Sequence, residues 1–281
     1  MKSSLFLQVF LVSLLPILGT CGYDQSISLQ MCYMSDISYE SMDSIDNWQC
    51  TNCSVYNIQD QIGFENTVTD TQGFAGYLPN LNAIVLAFRG TEGEVDIKTD
   101  TNYKRDDLTE FKQCSRCKIH GGFNEAYRSV RPHVLSIIQN LQNKHKGASI
   151  YLTGHSLGGA LAILAAIDLD QMGNDIAGVY TYGQPRVGNK HFASFVDINI
   201  PQIYRVVNYK DCVPHLPPNM MGFRHCGQEI WYHPKGMREF TPCSPENDMC
   251  SNSIDNSDLT PLNHFLKNYL KMTPNGVQVD L

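Results

Sequence analysis

After its first twenty residues the chain has no apolar run that approaches membrane-spanning length, so nothing beyond a leader is expected to enter a bilayer. It also lacks any cluster of basic residues interleaved with aromatics. With 21 Lys and Arg against 28 Asp and Glu, its formal net charge is −7. That balance argues against a nucleic-acid partner and against docking on anionic membranes by charge alone. Internal repeats, low-complexity tracts and Pro/Ser-rich linkers are absent too, which favours one domain over two in 281 residues. Only 17% of residues are charged while 42% are hydrophobic, a globular and not a disordered balance.

What is present begins with Leu5–Gly19, an uncharged apolar segment behind Lys2, interrupted by Pro16. It has the form of a secretory signal peptide, expected to span residues 1–21 and to be cleaved, leaving a single domain over 22–281. Ten cysteines in a chain bound for an oxidising compartment read as disulfides. Cys50/Cys53 and Cys114/Cys117 form C-x-x-C pairs; Cys212/Cys226 and Cys243/Cys250 pair by proximity in sequence. Cys21 and Cys32 remain, and their fate turns on the cleavage point. A zinc site at the four C-x-x-C thiols is disfavoured in that compartment, and no metal or cofactor is implied. Asn52-Cys53-Ser54 is a formal glycosylation sequon.

Asn82–Thr91 reads as a buried strand, with Gly73–Pro79 as its hairpin partner. From Glu125 to about Lys146, Tyr127, Val130, Val134, Ile137, Ile138 and Leu141 recur at helical spacing. Ala148–Gly154 reads as a strand, followed by a turn at Ser156 and a helix to about Met172. Ala177–Gly183 and Ile203–Tyr209 read as further strands, with a short helix near His191–Val196 between them. Gly222–Pro234 reads as a peripheral hairpin and Pro261–Lys271 as a closing helix. This alternation predicts an α/β fold, a mostly parallel central sheet with crossover helices on both faces.

Gly154-His155-Ser156-Leu157-Gly158 matches G-x-S-x-G between a strand and a helix, the setting of a nucleophile elbow in the α/β-hydrolase fold. The turn is tight enough that side chains two residues before and after the serine would clash, and it pushes the hydroxyl above the sheet. The helix N-terminus adds positive potential and a free N–H at Leu157 where an oxyanion would form. The serine needs a base and the base an orienting acid, in the chain order Ser, acid, His. Asp211 follows the strand Ile203–Tyr209 at its carboxyl end, where sites of open α/β sheets gather. His215, His225, His233 and His264 all follow it. Of these, His264 lies between a polar loop and the closing helix, His215 belongs to the rim near Asp211, and His225 and His233 read as structural. The residues therefore point to a serine hydrolase built on Ser156, Asp211 and His264.

The segments Ala87–Thr91 (AFRGT), His120–Phe123 (HGGF), Thr153–Ala162 (TGHSLGGALA), Tyr182–Asn189 (YGQPRVGN), Asp211–Pro218 (DCVPHLPP) and Gly222–Tyr232 (GFRHCGQEIWY) together resemble the class 3 (fungal-type) lipase family of α/β-hydrolases, from about Cys32 to Leu270. The resemblance implies the same three catalytic residues. It adds Thr91 as an oxyanion-hole residue beside Leu157, and its pairs match Cys114/Cys117 and Cys243/Cys250. Cys212 departs from the pattern, which suggests an extra staple to Cys226. Cys32 lacks the C-terminal partner that fungal members have.

By the same resemblance, Glu92–Tyr103 (EGEVDIKTDTNY) is the lid. Its charges at 92, 94, 96, 98 and 100 leave little apolar area to offer an oil surface. The segment is similar to the feruloyl-esterase branch, which makes Tyr103 a candidate substrate contact. The expectation is a secreted, monomeric carboxylic-ester hydrolase with no cofactor, acting on an ester or lipid substrate, most naturally acylglycerols, with at most transient contact with a lipid interface. The alternatives are a soluble-substrate esterase of feruloyl type and an inactive hydrolase-fold binding protein.

Overall fold

The computed structural model describes residues 22–91, 103–108, 113–233 and 239–270. The expected leader with Cys21, and residues 92–102 of the expected lid Glu92–Tyr103, lie outside the described residues. Helix α1 (Gln25–Ile37) and the short α2 (Met42–Asp46) come first, then β1 (Gln59–Asn66), β2 (Thr71–Leu78) and β3 (Ala83–Phe88), joined antiparallel. Short strands β4 (Arg105–Asp107) and β5 (Lys118–His120) lead into α3 (Gly121–Lys144). Next are β6 (Ser149–His155), α4 (Leu157–Gln171), β7 (Ile176–Tyr182), β8 (Gly188–Asn189), α5 (Lys190–Asn199) and β9 (Ile203–Asn208). The described chain closes with β10 (Phe223–Arg224), β11 (Gln228–Tyr232), β12 (Phe240–Cys243) and α6 (Leu266–Leu270).

The main sheet has the order β1-β2-β3-β6-β7-β9-β11-β12, parallel from β3 to β11. Strand β3 shows why its sequence is apolar throughout. Ile84, Leu86 and Phe88 face a core shared with α3, α4 and α5, while Val85 and Ala87 face a second core beneath α1. A strand covered on both sides has no polar alternation to show. Helix α4 is buried from Gly158 to Leu169, and its small side chains bring it close to the sheet. This is the expected α/β-hydrolase architecture, with helices on both faces.

Four readings change. Gly222–Pro234 is not a peripheral hairpin: β10 joins a second sheet of order β10-β8-β5-β4, and β11 is an inner parallel strand beside β9, flanked by β12. Its Glu229 reads as an edge residue, yet it is buried opposite Arg205 in the register, with the guanidinium 3.6 Å away. Cross-strand charge pairing lets an acidic residue occupy an inner strand. Helix α3 starts at Gly121, directly after the His120 cap that accepts from the Phe123 N–H. The closing helix is broken into a 3-10 turn (Pro261–Asn263) and α6, with His264 in the break.

The fourth change concerns the cysteines. Cys50–Cys53, Cys114–Cys117 and Cys243–Cys250 are disulfides, but Cys212 and Cys226 are not joined. Neighbouring side chains of an extended segment point to opposite sides. Here His225 takes the side facing the Pro214 carbonyl (2.7 Å), which sends Cys226 into the core under α5. Cys32 is a buried thiol in α1.

Helix α1 was not read from the sequence. Its buried stripe of Met31, Met34 and Ile37 is interrupted by Ser28, Gln30 and Ser35, which are buried as well and blur the period. The sequon lies near this helix: the Asn52 side-chain amide donates to Asp36 Oδ2 at 2.6 Å, next to the Cys50–Cys53 disulfide. A glycan would be attached through that same nitrogen. Peptide mass mapping of protein from a glycosylating host is therefore expected to find Asn52 unmodified; a glycopeptide there would contradict this geometry.

Candidate active site

The carboxyl ends of β3, β6, β7 and β9 converge at one edge of the sheet. Ser156 follows β6 with φ 56° and ψ −127°, a backbone conformation that a side-chain-bearing residue rarely adopts. The flanking glycines make it geometrically feasible. A Cβ at Gly154 would lie 2.2 Å from the Gly158 carbonyl carbon, and one at Gly158 would lie 2.2 Å from the Phe88 carbonyl oxygen. The elbow thus lies against the end of β3, which continues through Gly90 to Thr91. Leu157 opens α4, so its N–H has no intrahelical partner. Both expected oxyanion donors, Thr91 and Leu157, line the same cavity.

Asp211 follows β9 and is fully buried. Its Oδ2 accepts from His264 Nδ1 at 2.8 Å and from the Tyr269 hydroxyl, and its Oδ1 accepts from the Val213 N–H at 2.8 Å. An isolated bridge between Asp211 and Thr260 brings the late loop alongside. Burial works to raise the carboxyl's pKa, but the facing His264 and the hydrogen bonds outweigh it and hold the group below its ordinary value. Because Asp211 accepts the hydrogen bond from a proton held on Nδ1, His264 Nε2 is left as an acceptor. Ser156 Oγ and His264 Nε2 are both buried, and neither has a hydrogen-bond partner among the described residues. Two reactive atoms are thereby kept out of internal bonding, one an alcohol and one a base.

Beside them lies a cavity of about 230 Å³, lined by Thr91, Tyr103, His120, Phe123, Leu157 and Leu216 among others. The structure therefore brings all six residues singled out from the sequence to this edge: Ser156, Asp211 and His264 are buried, and Thr91, Leu157 and Tyr103 line the cavity wall. Tyr103 packs edge-on to His120 at 6.1 Å between ring centroids. His215 ends the 3-10 turn Val213–His215 just after Asp211, His225 is buried with Nε2 on the Pro214 carbonyl, and His233 bonds the exposed Thr241 hydroxyl. Among the described residues, the cluster with metal-ligand spacing is Glu229, Cys243 and Cys250, and its two sulfurs are spent in a disulfide.

Two participants escaped the sequence reading. Tyr269 supplies the second bond to Asp211 Oδ2, a role no local pattern announces. Gly183 stands inside the conspicuous YGQPRVGN segment, but only the fold shows what it does. With φ 60°, it packs beneath the acid–base pair, and a Cβ there would lie 2.8 Å from Asp211 Oδ2 and from His264 Nδ1 and Cε1. Gly183→Ala is expected to cost about 1–3 kcal/mol of stability and to lower kcat by about 10²-fold. Thermal melts and turnover of a soluble ester check both; an unchanged kcat would show that the pair tolerates displacement.

Comparison with known proteins gives one direction. The family model for lipase (class 3) matches residues 85–221. A lipase of Rhizopus niveus is 33% identical over 217 residues, covering 74% of this chain and 54% of its own length. Secreted mono- and diacylglycerol lipase 1 of Fusarium solani is 35% identical over 185 residues, covering 64% of this chain and 54% of its own. The chain thus spans about half the length of the curated relatives it matches. The solved structure of lipase II from Rhizopus niveus superposes with a TM-score of 0.76 at 31% identity, covering 85% of this chain and 92% of that one.

Proposed function

Because the chain belongs to the class 3 lipase family, we propose that it is a secreted serine hydrolase of carboxylic esters, with acylglycerols as its substrate class. The observation that carries this reading is the pair of unpartnered buried atoms, Ser156 Oγ and His264 Nε2, with Asp211 2.8 Å behind the imidazole. Ser156 Oγ attacks the ester carbonyl as His264 Nε2 takes its proton. The tetrahedral oxyanion is held by the N–H groups of Thr91 and Leu157. His264 then protonates the leaving alcohol, and water repeats the sequence on the acyl-enzyme to release the acid. Asp211 keeps the proton on Nδ1 and stabilises the imidazolium that forms transiently. This chemistry needs no metal.

The leader-like first 21 residues, the three disulfides and the secreted relative support an extracellular location. No helix among the described residues is long and apolar enough to cross a membrane. The reading takes the enzyme as a monomer that touches a lipid interface only transiently. A second reading, a soluble-ester hydrolase of feruloyl type, draws on the aromatic wall of Tyr103, His120 and Phe123. Hydrolysis of soluble butyrate esters, emulsified long-chain triglyceride and methyl ferulate separates the two. A rate that jumps on the emulsion supports the acylglycerol reading, and preference for methyl ferulate supports the second. Activity in none of the three would remove both.

A further inference from the structure

His264 lies outside regular secondary structure, between the 3-10 turn Pro261–Asn263 and α6. A base whose backbone is held only by its own loop would drift relative to the nucleophile. Its N–H bonds within that loop, to the Pro261 carbonyl at 2.9 Å. Its carbonyl crosses to the sheet and accepts from His155 Nε2 at 2.7 Å. His155 ends β6 and immediately precedes Ser156, and β6 is held between β3 and β7. The backbone of the base is therefore tied to the residue next to the nucleophile.

The direction of that bond is fixed by its partners. A carbonyl can only accept, so His155 Nε2 carries the proton and Nδ1 is left to accept from the Tyr39 hydroxyl at 2.9 Å. That hydroxyl occupies space next to Gly90, where a Cβ would come within 2.3 Å of it and 2.7 Å of the His155 carbonyl oxygen. Gly90 precedes Thr91, so the tyrosine and imidazole touch the oxyanion strand end, the elbow and the base loop together. The His155 and His264 rings lie 4.5 Å apart between centroids, tilted by 31°.

We propose that His155, braced by Tyr39, is a positioning residue that sets the spacing of His264 from Ser156. The proposal rests on the serine-hydrolase reading above. His155 makes no hydrogen bond to a reacting atom: its nitrogens are committed to Tyr39 and to the His264 carbonyl. Burial, and next the neighbouring His264, push its pKa down to about 3, so it stays neutral and adds no charge against the imidazolium at His264.

The test compares His155→Met with His155→Gln in the full chain. Glutamine places an N–H donor where the imidazole Nε2 lies, whereas methionine fills similar space without one. His155→Met is expected to lower kcat on a soluble ester by about 10²-fold, with KM within about twofold of the parent. The rate of fluorophosphonate labelling should fall by the same factor, while the final labelled fraction stays near that of the parent and the Tm falls modestly for the two buried partners left unbonded. His155→Gln should recover all but about fivefold of the loss through its donor. Tyr39→Phe, which keeps the ring and removes only the brace, should slow labelling several-fold without changing the labelled fraction.

Parent-like rates in the methionine variant would overturn the proposal. So would equal slowing by methionine and glutamine, or a lowered labelled fraction with an unchanged rate, the mark of a merely structural residue. Ser156→Ala run alongside separates this from the underlying reading. If that variant still hydrolyses ester, the serine-hydrolase reading falls, whatever His155 does.

Discussion

Ser156→Ala is expected to lower kcat on ester substrates by about 10⁵-fold or more while leaving the protein at least as stable as its parent. The two halves have separate physical origins. Activity falls because the hydroxyl oxygen is the atom that bonds to the acyl carbon, and no neighbouring group can take its place. Stability holds because Ser156 Oγ is buried without a partner among the described residues, so deleting it removes a desolvated polar group at no loss of internal bonding. Alanine inherits the same positive φ, so backbone strain is unchanged. Titration with a fluorophosphonate, together with a thermal melt, checks both. A variant that melts well below the parent would mean that the hydroxyl supports the turn, and residual labelling would remove Ser156 from the mechanism.

Asp211→Asn is expected to lower kcat by about 10⁴-fold. The carboxylate receives three donors: His264 Nδ1, the Tyr269 hydroxyl and the Val213 N–H. An amide can accept from only part of that set. If its NH₂ faces His264, the imidazole must place its proton on Nε2, and the base becomes a donor to the serine it should deprotonate. Labelling kinetics at fixed pH would report the loss; an effect under tenfold would show that another group orients the imidazole. The same site governs acid behaviour. The folded-state pKa of Asp211 is lowered, so its contribution to stability is present above the ordinary value of 3.8 and is lost as pH falls through the lowered one. Acid melts of the parent should show this loss, and Asp211→Asn should be less sensitive in that window.

Much of this centre is legible in the sequence because its constraints are local. The elbow needs glycines two residues either side of Ser156, and steric exclusion over five residues appears directly as G-x-S-x-G. The order of serine, acid and histidine narrows the partners, since Asp211 ends a readable strand and His264 lies beyond it. Strand β3 is equally plain, because burial on both faces demands an unbroken apolar run, and β6, β7 and β9 are mostly apolar, with Arg205 of β9 paired to Glu229.

Contacts between distant segments are where the reading stops. Glu229 looks like an edge residue until Arg205 is seen opposite it, and Cys226 looks like a partner for Cys212 until His225 takes the side facing Pro214. Tyr269 and Gly183 serve the acid only because α6 and the end of β7 pack against the end of β9. His155 stands inside the elbow motif with no role legible in the sequence, and only the crossing of the His264 loop over β6 gives its second nitrogen something to hold. The sequence by itself determined the fold class and the elbow, which follow from burial and sterics along short stretches, and chain order pointed from them to Asp211 and His264 as the expected partners of Ser156. The tertiary structure decided which groups orient those side chains, because hydrogen bonds between residues more than fifty positions apart leave no periodic trace in the chain.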